Sequence, residues 1–348
     1  MILIDDVREI KDFKKKTFSN FKKSQVNKEF LKALIDGKSE KMFYWCTELI
    51  CSGHFLDLWE NIILYMCKYI HIGNPKIPIY INDRMTKFKD IINTSDYSEL
   101  ELRNNINIRK ILFEVISVLF FSQKKYSFYN IKIEDSYFDI QNLSSKLKAP
   151  NTNYCKKIFK ENDPIDLFIS VNELCYHLSN DSNNSYLSLF WIEWIIKYIK
   201  NLKKKKEICL IEKRNISNID DKYLCYPIWL IWDCIIYYAN YKSKIINTII
   251  DSLFKIYCLK FSNTTKTKRV YTIYFAVYIL TEKFDLNKVI ICDKNKKDID
   301  NILNNIDMFF NQVKENEIKP KTSYLFNNIE MSNLDESKKK LNIMNQII

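Results

Sequence analysis

Only three glycines occur in the 348 residues of the chain. Dinucleotide-binding sheets, P-loop enzymes and β-sandwiches need glycine at many tight turns and positive-φ positions. Helices joined by short polar turns need very few. With 47% hydrophobic and 14% aromatic residues, the chain also has enough apolar surface for a packed core. The sequence therefore predicts an all-α fold.

Apolar residues recur at helical spacing along most of the chain. Phe30 and Leu34 belong to one such stripe, which stops at Gly37, where glycine typically ends a helix. Asp163 followed by Pro164 predicts a helix start, because aspartate caps free amides and proline suits the first turn. The connections between stripes are short and polar, so we expect an irregular array of antiparallel helix pairs.

A W-x-x-W spacing occurs twice, at Trp191–Trp194 and at Trp229–Trp232, with an offset of 38 residues. An offset near 40 residues is typical of helix-pair repeats. A HEAT-like superhelix is therefore the alternative architecture. We also expect helices at 136–147 and 153–160.

The composition shifts at both ends of the chain. Residues 1–24 are rich in lysine and weakly periodic, which indicates a basic N-terminal arm. Residues 25–318 should form the helical domain, with a subdivision near 150–163. After Pro320 the periodicity is lost, so residues 319–348 are predicted to be an extended C-terminal tail.

The segment LFWIEWIIKYIKNLKKKK, residues 189–206, predicts a central helix. Glu193, Lys197, Lys200 and Lys204 follow one narrow polar stripe, and the rest of the circumference is apolar. Glu193 and Lys197 are four residues apart in the order that favours pairing. No run in the chain has the length and apolarity that a membrane span needs. We therefore expect a core helix that delivers a lysine cluster to the surface.

Cysteine and histidine spacing imitates a zinc site. Cys51 and His54 are followed by Cys67 and His71. A continuous helix over 55–71 would hold the two histidines roughly 25 Å apart, whereas zinc ligands must meet within about 4 Å of one another. We predict no metal and no cofactor.

The ten cysteines contain no C-x-x-C pair and no signal peptide precedes them. This pattern indicates buried thiols in a soluble, intracellular protein.

Known catalytic motifs are absent from the sequence. Glu173 and His177 share a helix face and should pair locally. Cys175 points away from His177 at a spacing of two, which argues against a Cys–His dyad. We predict no catalytic residue.

The chain carries 54 lysines and arginines against 42 acids, a net charge of +12. Basic clusters lie near expected helix ends. Where a cluster begins a helix, as at 266–269, the helix dipole disfavours cations, so phosphate or an acidic partner is one explanation and simple solvation the other. The residues predicted to bind nucleic acid or an acidic partner are Lys203, Lys204, Lys205, Lys206, Lys213, Arg214, Lys266, Lys268 and Arg269.

Several stretches resemble one protein family. They are FYWCTELICSGHFLDLWENIILY, HIGNPKIPIY, KLKAP, NELCYHLSNDSNNSYLSLFWIEWII, KRVYTIYFAVYILTE and NQVKENEIKPKTSYLF. Together they look like an uncharacterised helical family of the nucleocytoplasmic large DNA viruses, the giant viruses related to mimivirus and the phycodnaviruses. The resemblance implies a virus factory in the host cytoplasm, or the virion. It brings no active-site residues.

A non-enzymatic helical scaffold or adaptor is the leading expectation. It would bind proteins, with nucleic acid as a further, sequence-independent partner, through its basic clusters. One alternative is a virion structural protein that contacts packaged DNA or capsid partners. The other is an enzyme whose site is assembled from distant helices.

Overall fold

Helices make up all the regular structure in the part of the chain that can be described. The computed structural model describes residues 2–94, 98 and 100–319, so the predicted tail lies almost wholly outside the described residues. Short 3-10 and π turns and one isolated bridge, between Lys16 and Lys22, accompany the helices. The all-α prediction is confirmed. In chain order the helices are α1 (Lys23–Asp36), α2 (Ser39–Cys51), α3 (Phe55–Tyr65), α4 (Ile77–Thr94), α5 (Ile106–Phe121), α6 (Ile140–Leu143), α7 (Phe168–Leu178), α8 (Ser185–Lys204), α9 (Ile228–Ala239), α10 (Lys244–Cys258), α11 (Thr265–Lys268), α12 (Val270–Thr281), α13 (Asp293–Asn304) and α14 (Ile306–Lys314).

The described residues fall into two units. The first contains residues 2–55, 100–109 and 305–319, and the second contains 56–94 and 110–304. Within the first unit α2 packs against both α1 and α14. The first unit is therefore assembled from three separate stretches of sequence, and its last helix comes from near the end of the described chain.

The segment predicted as a basic arm contributes side chains to the first unit. Ile4, Phe13 and Phe18 are buried. The rings of Phe13 and Phe18 stack with centroids 6.2 Å apart, and the Arg8 guanidinium lies over both. Arg8 also forms an ion pair with Asp6 at 2.6 Å. The Ile4 amide donates to the Asn104 side chain at 2.9 Å and the Phe18 amide donates to the Ser52 hydroxyl at 2.8 Å, so residues 4–18 are attached to the rest of the unit.

The second unit is built from packed helix pairs. Helix α7 packs against α8 and α9, α10 packs against α4 and α9, and α12 packs against α8, α9 and α10. Trp191, Trp194, Trp229 and Trp232 are all buried. The two W-x-x-W pairs are thus core residues, as their apolar helices predicted.

Two of the three glycines show two different reasons for glycine. Gly37 follows α1 with φ 71°, and its amide donates to the Ala33 carbonyl, which is the left-handed helix end that the sequence predicted. Gly73 is required by close packing instead. A Cβ there would lie 2.2 Å from the backbone carbonyl oxygen of Gln123.

The helices predicted at 153–160 and across 136–147 are wrong. Residues 153–160 form turns, and the other range holds only short pieces: the four-residue α6 between 3-10 turns at Asp135–Phe138 and Ser144–Lys146. Buried polar side chains of α7 fix the chain around the start of these turns. The Glu173 carboxylate accepts the amides of Lys148 and Ala149, at 2.9 and 3.0 Å, just before this range, and Asn172 accepts the amide of Tyr154 within it. Such side-chain bonds to the backbone favour turns over a regular helix.

Candidate anion-binding surface

Helix α8 carries the longest basic run to the surface. Asn184 caps its first turn by accepting the Leu187 amide at 2.9 Å. Lys203–Lys206 at the other end are all exposed. Cations are favourable beside the free carbonyls of a helix C-terminus. None of the helices within the described residues combines the length and apolarity required to cross a membrane.

A second predicted cluster lies within electrostatic range of this run. Lys266, in α11, lies close enough to Lys203 that the two cations repel each other: burial lowers the pKa of the Lys266 ammonium, and the charge of Lys203 lowers it further. The Lys266 ammonium stands over the Tyr226 ring, 4.9 Å from its centroid. Residues more than 60 positions apart therefore share one surface.

We call this region the basic surface and define it as Lys203–Lys206, Lys266, Lys268 and Tyr226. Across the described parts of the chain, no carboxylate lies within ion-pair distance of these lysines, and Lys268 is exposed. Asp135 is near enough for the charge of Lys204 to lower its pKa, but its direct partner is Lys197. A cluster of cations with few direct partners attracts anions. Tyr226 was not singled out in the sequence. The signal that could have indicated it is the spacing of Tyr223 and Tyr226, whose ring centroids lie 5.4 Å apart in the structure.

Lys213 and Arg214 are neighbours in sequence but differ in environment. Lys213 is exposed and pairs with exposed Asp221 at 3.0 Å. The Arg214 side chain is only 4% exposed, and its guanidinium donates two hydrogen bonds to the Asp163 carboxylate, at 3.0 and 2.7 Å. It also bonds Asp233 at 2.6 Å. Arg214 is therefore an internal group rather than a surface contact, and Asp163 binds it instead of capping α7.

Arg269 is likewise directed inwards. Its side chain is 2% exposed and forms an ion pair with Glu60 at 2.6 Å. One nitrogen also donates to the carbonyls of Ile256, Tyr257 and Leu259, at the end of α10. The Arg269 charge is unfavourable at the start of α12, but it stabilises the free carbonyls at the C-terminus of α10. The charge at Arg269 needs no external ligand.

The predicted pairing of Glu193 with Lys197 is wrong. The Glu193 carboxylate accepts the hydroxyl of Tyr274, in α12, and burial raises its pKa. Lys197 instead donates to the Ile133 carbonyl and pairs with Asp135 at 2.8 Å. Partners from other segments displaced the weak contact along the helix, which is worth only about 0.2–0.5 kcal/mol.

Glu173 and His177 pair as predicted, within the core. His177 Nε2 lies 3.5 Å from Glu173 Oε2, and both side chains are almost fully buried. The other ring nitrogen contacts the Ser182 hydroxyl at 2.7 Å. Because the Glu173 carboxylate also accepts the amides of residues 148 and 149, it connects the loop at 148–149 to α7. Cys175 has Cys234 and Cys155 as its neighbours, which fits the expectation that it points away from His177.

The thiols of the zinc-like spacing are core groups. Cys51 and Cys67 are buried, and burial raises the pKa of both, to about 12 for Cys67. Protonated thiols are poor metal ligands. Over residues 2–94 and 100–319, no three histidine, cysteine or acidic side chains come together as metal ligands would.

Comparison with known proteins gives no relative from which a function could be carried over. The chain matches no known protein family, no curated protein and no solved structure. The resemblance to a giant-virus family therefore stays a prediction. What can be inferred about function comes from the residues of this chain alone.

Proposed function

We propose that this chain is a non-enzymatic helical scaffold or adaptor that binds an anionic partner through the basic surface. The observation that carries the proposal is the meeting of Lys203 and Lys266. Two clusters that are separate in sequence contribute cations to one patch, whose lysines form no direct ion pair within the described residues. Charged surfaces of this kind hold phosphate backbones or acidic protein segments.

Two features support binding rather than catalysis. The Glu173 carboxylate accepts two backbone amides and His177 Nδ1 contacts the Ser182 hydroxyl, so both side chains hold local structure in place. In the basic surface, by contrast, Lys203–Lys206 and Lys268 are exposed and Lys266 is partly exposed. The viral setting, in a virus factory or the virion, rests on the sequence resemblance and belongs to the same proposal.

Affinity purification tests the proposal. A tagged chain is purified from cells with and without nuclease treatment, which separates acidic protein partners from those bridged by nucleic acid. The variant Lys203→Gln/Lys266→Gln should lose its partners. The variant Lys28→Gln/Lys32→Gln removes the same charge from the exposed face of α1 and should keep them.

Salt dependence gives a second measure. If the partner is nucleic acid, each lost phosphate contact should reduce the slope of log affinity against log salt by about 0.7–0.9. Equal capture by both double variants would overturn the proposal, because the basic surface would then contribute no more than any other charged face.

A further inference from the structure

A cleft lined by tyrosine, lysine and asparagine side chains lies elsewhere in the second unit. It has a volume of about 560 Å³, within the range of small-molecule sites. Three connections converge on it: the loop 151–157, the α7–α8 turn at Asn180 and Asp181, and the α9–α10 turn at Tyr241 and Lys242. None of these residues belongs to the basic surface.

Hydrogen bonds tie the three connections together. The Tyr238 hydroxyl donates to the Tyr154 carbonyl at 3.0 Å, and the Tyr154 hydroxyl donates to Asp181 at 2.8 Å. Lys242 donates to the Asn180 side chain at 2.6 Å. The walls of the cleft are therefore fixed before any ligand arrives, which reduces the entropic cost of binding.

The cleft presents aromatic faces to solvent. Tyr241 is 60% exposed and lies 5.3 Å from the Tyr237 ring, between centroids. Its hydroxyl donates to the Tyr237 hydroxyl at 2.8 Å, which restrains the ring. An exposed ring held in place contributes little to the core, but it is a platform on which another planar group can stack.

The charge of the cleft is positive. Lys156, Lys157 and Lys242 line it against one acid, Asp181, whose carboxylate is engaged by Tyr154. Within the described chain no carboxylate pairs with any of the three lysines. Lys242 is half-buried with only an amide as its hydrogen-bond acceptor. An incoming anion would supply the missing counter-charge.

We propose that this cleft, the tyrosine–lysine cleft, binds a nucleotide unit, with the base stacked on Tyr241 and the phosphate held by Lys242 and Lys156. Stacking with a neighbouring cation is how single-stranded nucleic acid is held without sequence preference. An acidic peptide would use the lysines but would not need the exposed ring. The inference does not rest on the basic surface, since the residues differ.

Fluorescence anisotropy with purified full-length chain tests the inference. The probe is a labelled single-stranded thymidine oligonucleotide of about 12 nucleotides, within the usual site sizes. Tyr241→Leu should weaken binding about tenfold, the effect of one lost stacking contact. Lys242→Gln should reduce the log–log salt slope by about 0.7. Tyr129→Leu is the matched control, because Tyr129 is 50% exposed and lies outside the cleft.

Competing ligands identify the source of the nucleotide. If thymidine monophosphate displaces the labelled oligonucleotide from the wild type but not from Tyr241→Leu, the cleft binds free nucleotides. The contacts would be the same, with the base on the tyrosine ring and the phosphate on the lysines. A duplex that competes as well as the single strand would overturn the inference, because its base faces are hidden. So would the absence of binding, or equal binding by Tyr241→Leu and Tyr129→Leu.

The two proposals fail in different ways. If Lys203→Gln/Lys266→Gln abolishes oligonucleotide binding while Tyr241→Leu has no effect, the basic surface holds the strand and the cleft inference is wrong. If Tyr241→Leu abolishes it and the lysine variant captures its usual partners, the proposed function is wrong and the cleft stands. Thermal melting confirms that each variant is folded.

Discussion

Replacing Arg214 with methionine should destabilise the second unit strongly. Arg214 makes two bonds to Asp163, one to Asp233 and one of 2.7 Å to the Glu212 carbonyl. Methionine matches much of the side-chain volume but none of these donors. The substitution therefore removes the charge and the hydrogen bonds while it leaves the apolar packing largely in place.

The magnitude depends on what the change leaves behind. The Asp163 side chain is 0% exposed, so water cannot replace its cation, whereas Asp233 is 34% exposed and can be partly hydrated. Leaving one buried charge without its partner costs about 3–5 kcal/mol. The largest part of this loss should come from Asp163.

Urea unfolding followed by tryptophan fluorescence measures the loss. Five of the six tryptophans lie in the second unit, so the signal reports on that unit. Lys213→Met is the matched control. Its partner Asp221 is 83% exposed, and such surface pairs contribute less than about 1 kcal/mol. Arg214→Met/Asp163→Asn should recover part of the loss, because the buried negative charge is removed.

Equal unfolding midpoints for Arg214→Met and Lys213→Met would refute this reasoning. That result would mean that water reaches the Asp163 carboxylate in the folded protein and replaces its cation. It would also return Arg214 to the set of cations that could bind a partner.

Three other changes have distinct expected outcomes. Arg269→Met should lower the unfolding free energy by about 3 kcal/mol in the same urea assay, and exposed Lys268→Met by less than about 0.5. Burial lowers the pKa of His71 to about 4 from 6.5, so the unfolded chain takes up the proton first. Stability should fall by about 3 kcal/mol as pH drops from 6.5 to 4, and His71→Asn should show a smaller drop. Changing Lys203–Lys206 to glutamine should leave the melting temperature nearly unchanged, and unfolding of that variant would contradict their assignment as surface groups.

Asparagine suits position 71 because of the local backbone. His71 has φ 32°, a conformation that asparagine tolerates better than most residues. Its Nε2 contacts the Tyr126 carbonyl at 2.9 Å, so the neutral ring donates there. Loss of the ring will destabilise the variant at every pH. The informative quantity is therefore the difference between the two pH values, and an identical drop in both proteins would show that other groups cause it.

Local patterns in the sequence predicted much of the second unit. The scarcity of glycine and the helical periodicity indicated an all-α fold, because both depend on neighbours within a few residues. The burial of Trp191 and Trp229 followed from helices that are apolar around most of their circumference. The position of Gly37 followed from its freedom to adopt positive φ.

Long-range partners decided the rest. Lys213 and Arg214, or Lys268 and Arg269, are equivalent as charges in a sequence. Only the folded chain places Asp163 against Arg214 and Glu60 against Arg269. The same holds for the loop at 153–160, where Asn172 of α7 accepts the amide of Tyr154.

The sequence by itself determined the fold class, the main helices and the surface position of the lysine run. Each of these follows from interactions along one helix, and its pattern is therefore visible locally. Tertiary structure alone decided which cations are free and which are buried, because an ion pair needs a carboxylate from a distant segment. It also brought Lys203 beside Lys266 and assembled the tyrosine–lysine cleft from three connections. Both candidate sites arise from that assembly, since no single stretch of sequence contains either one.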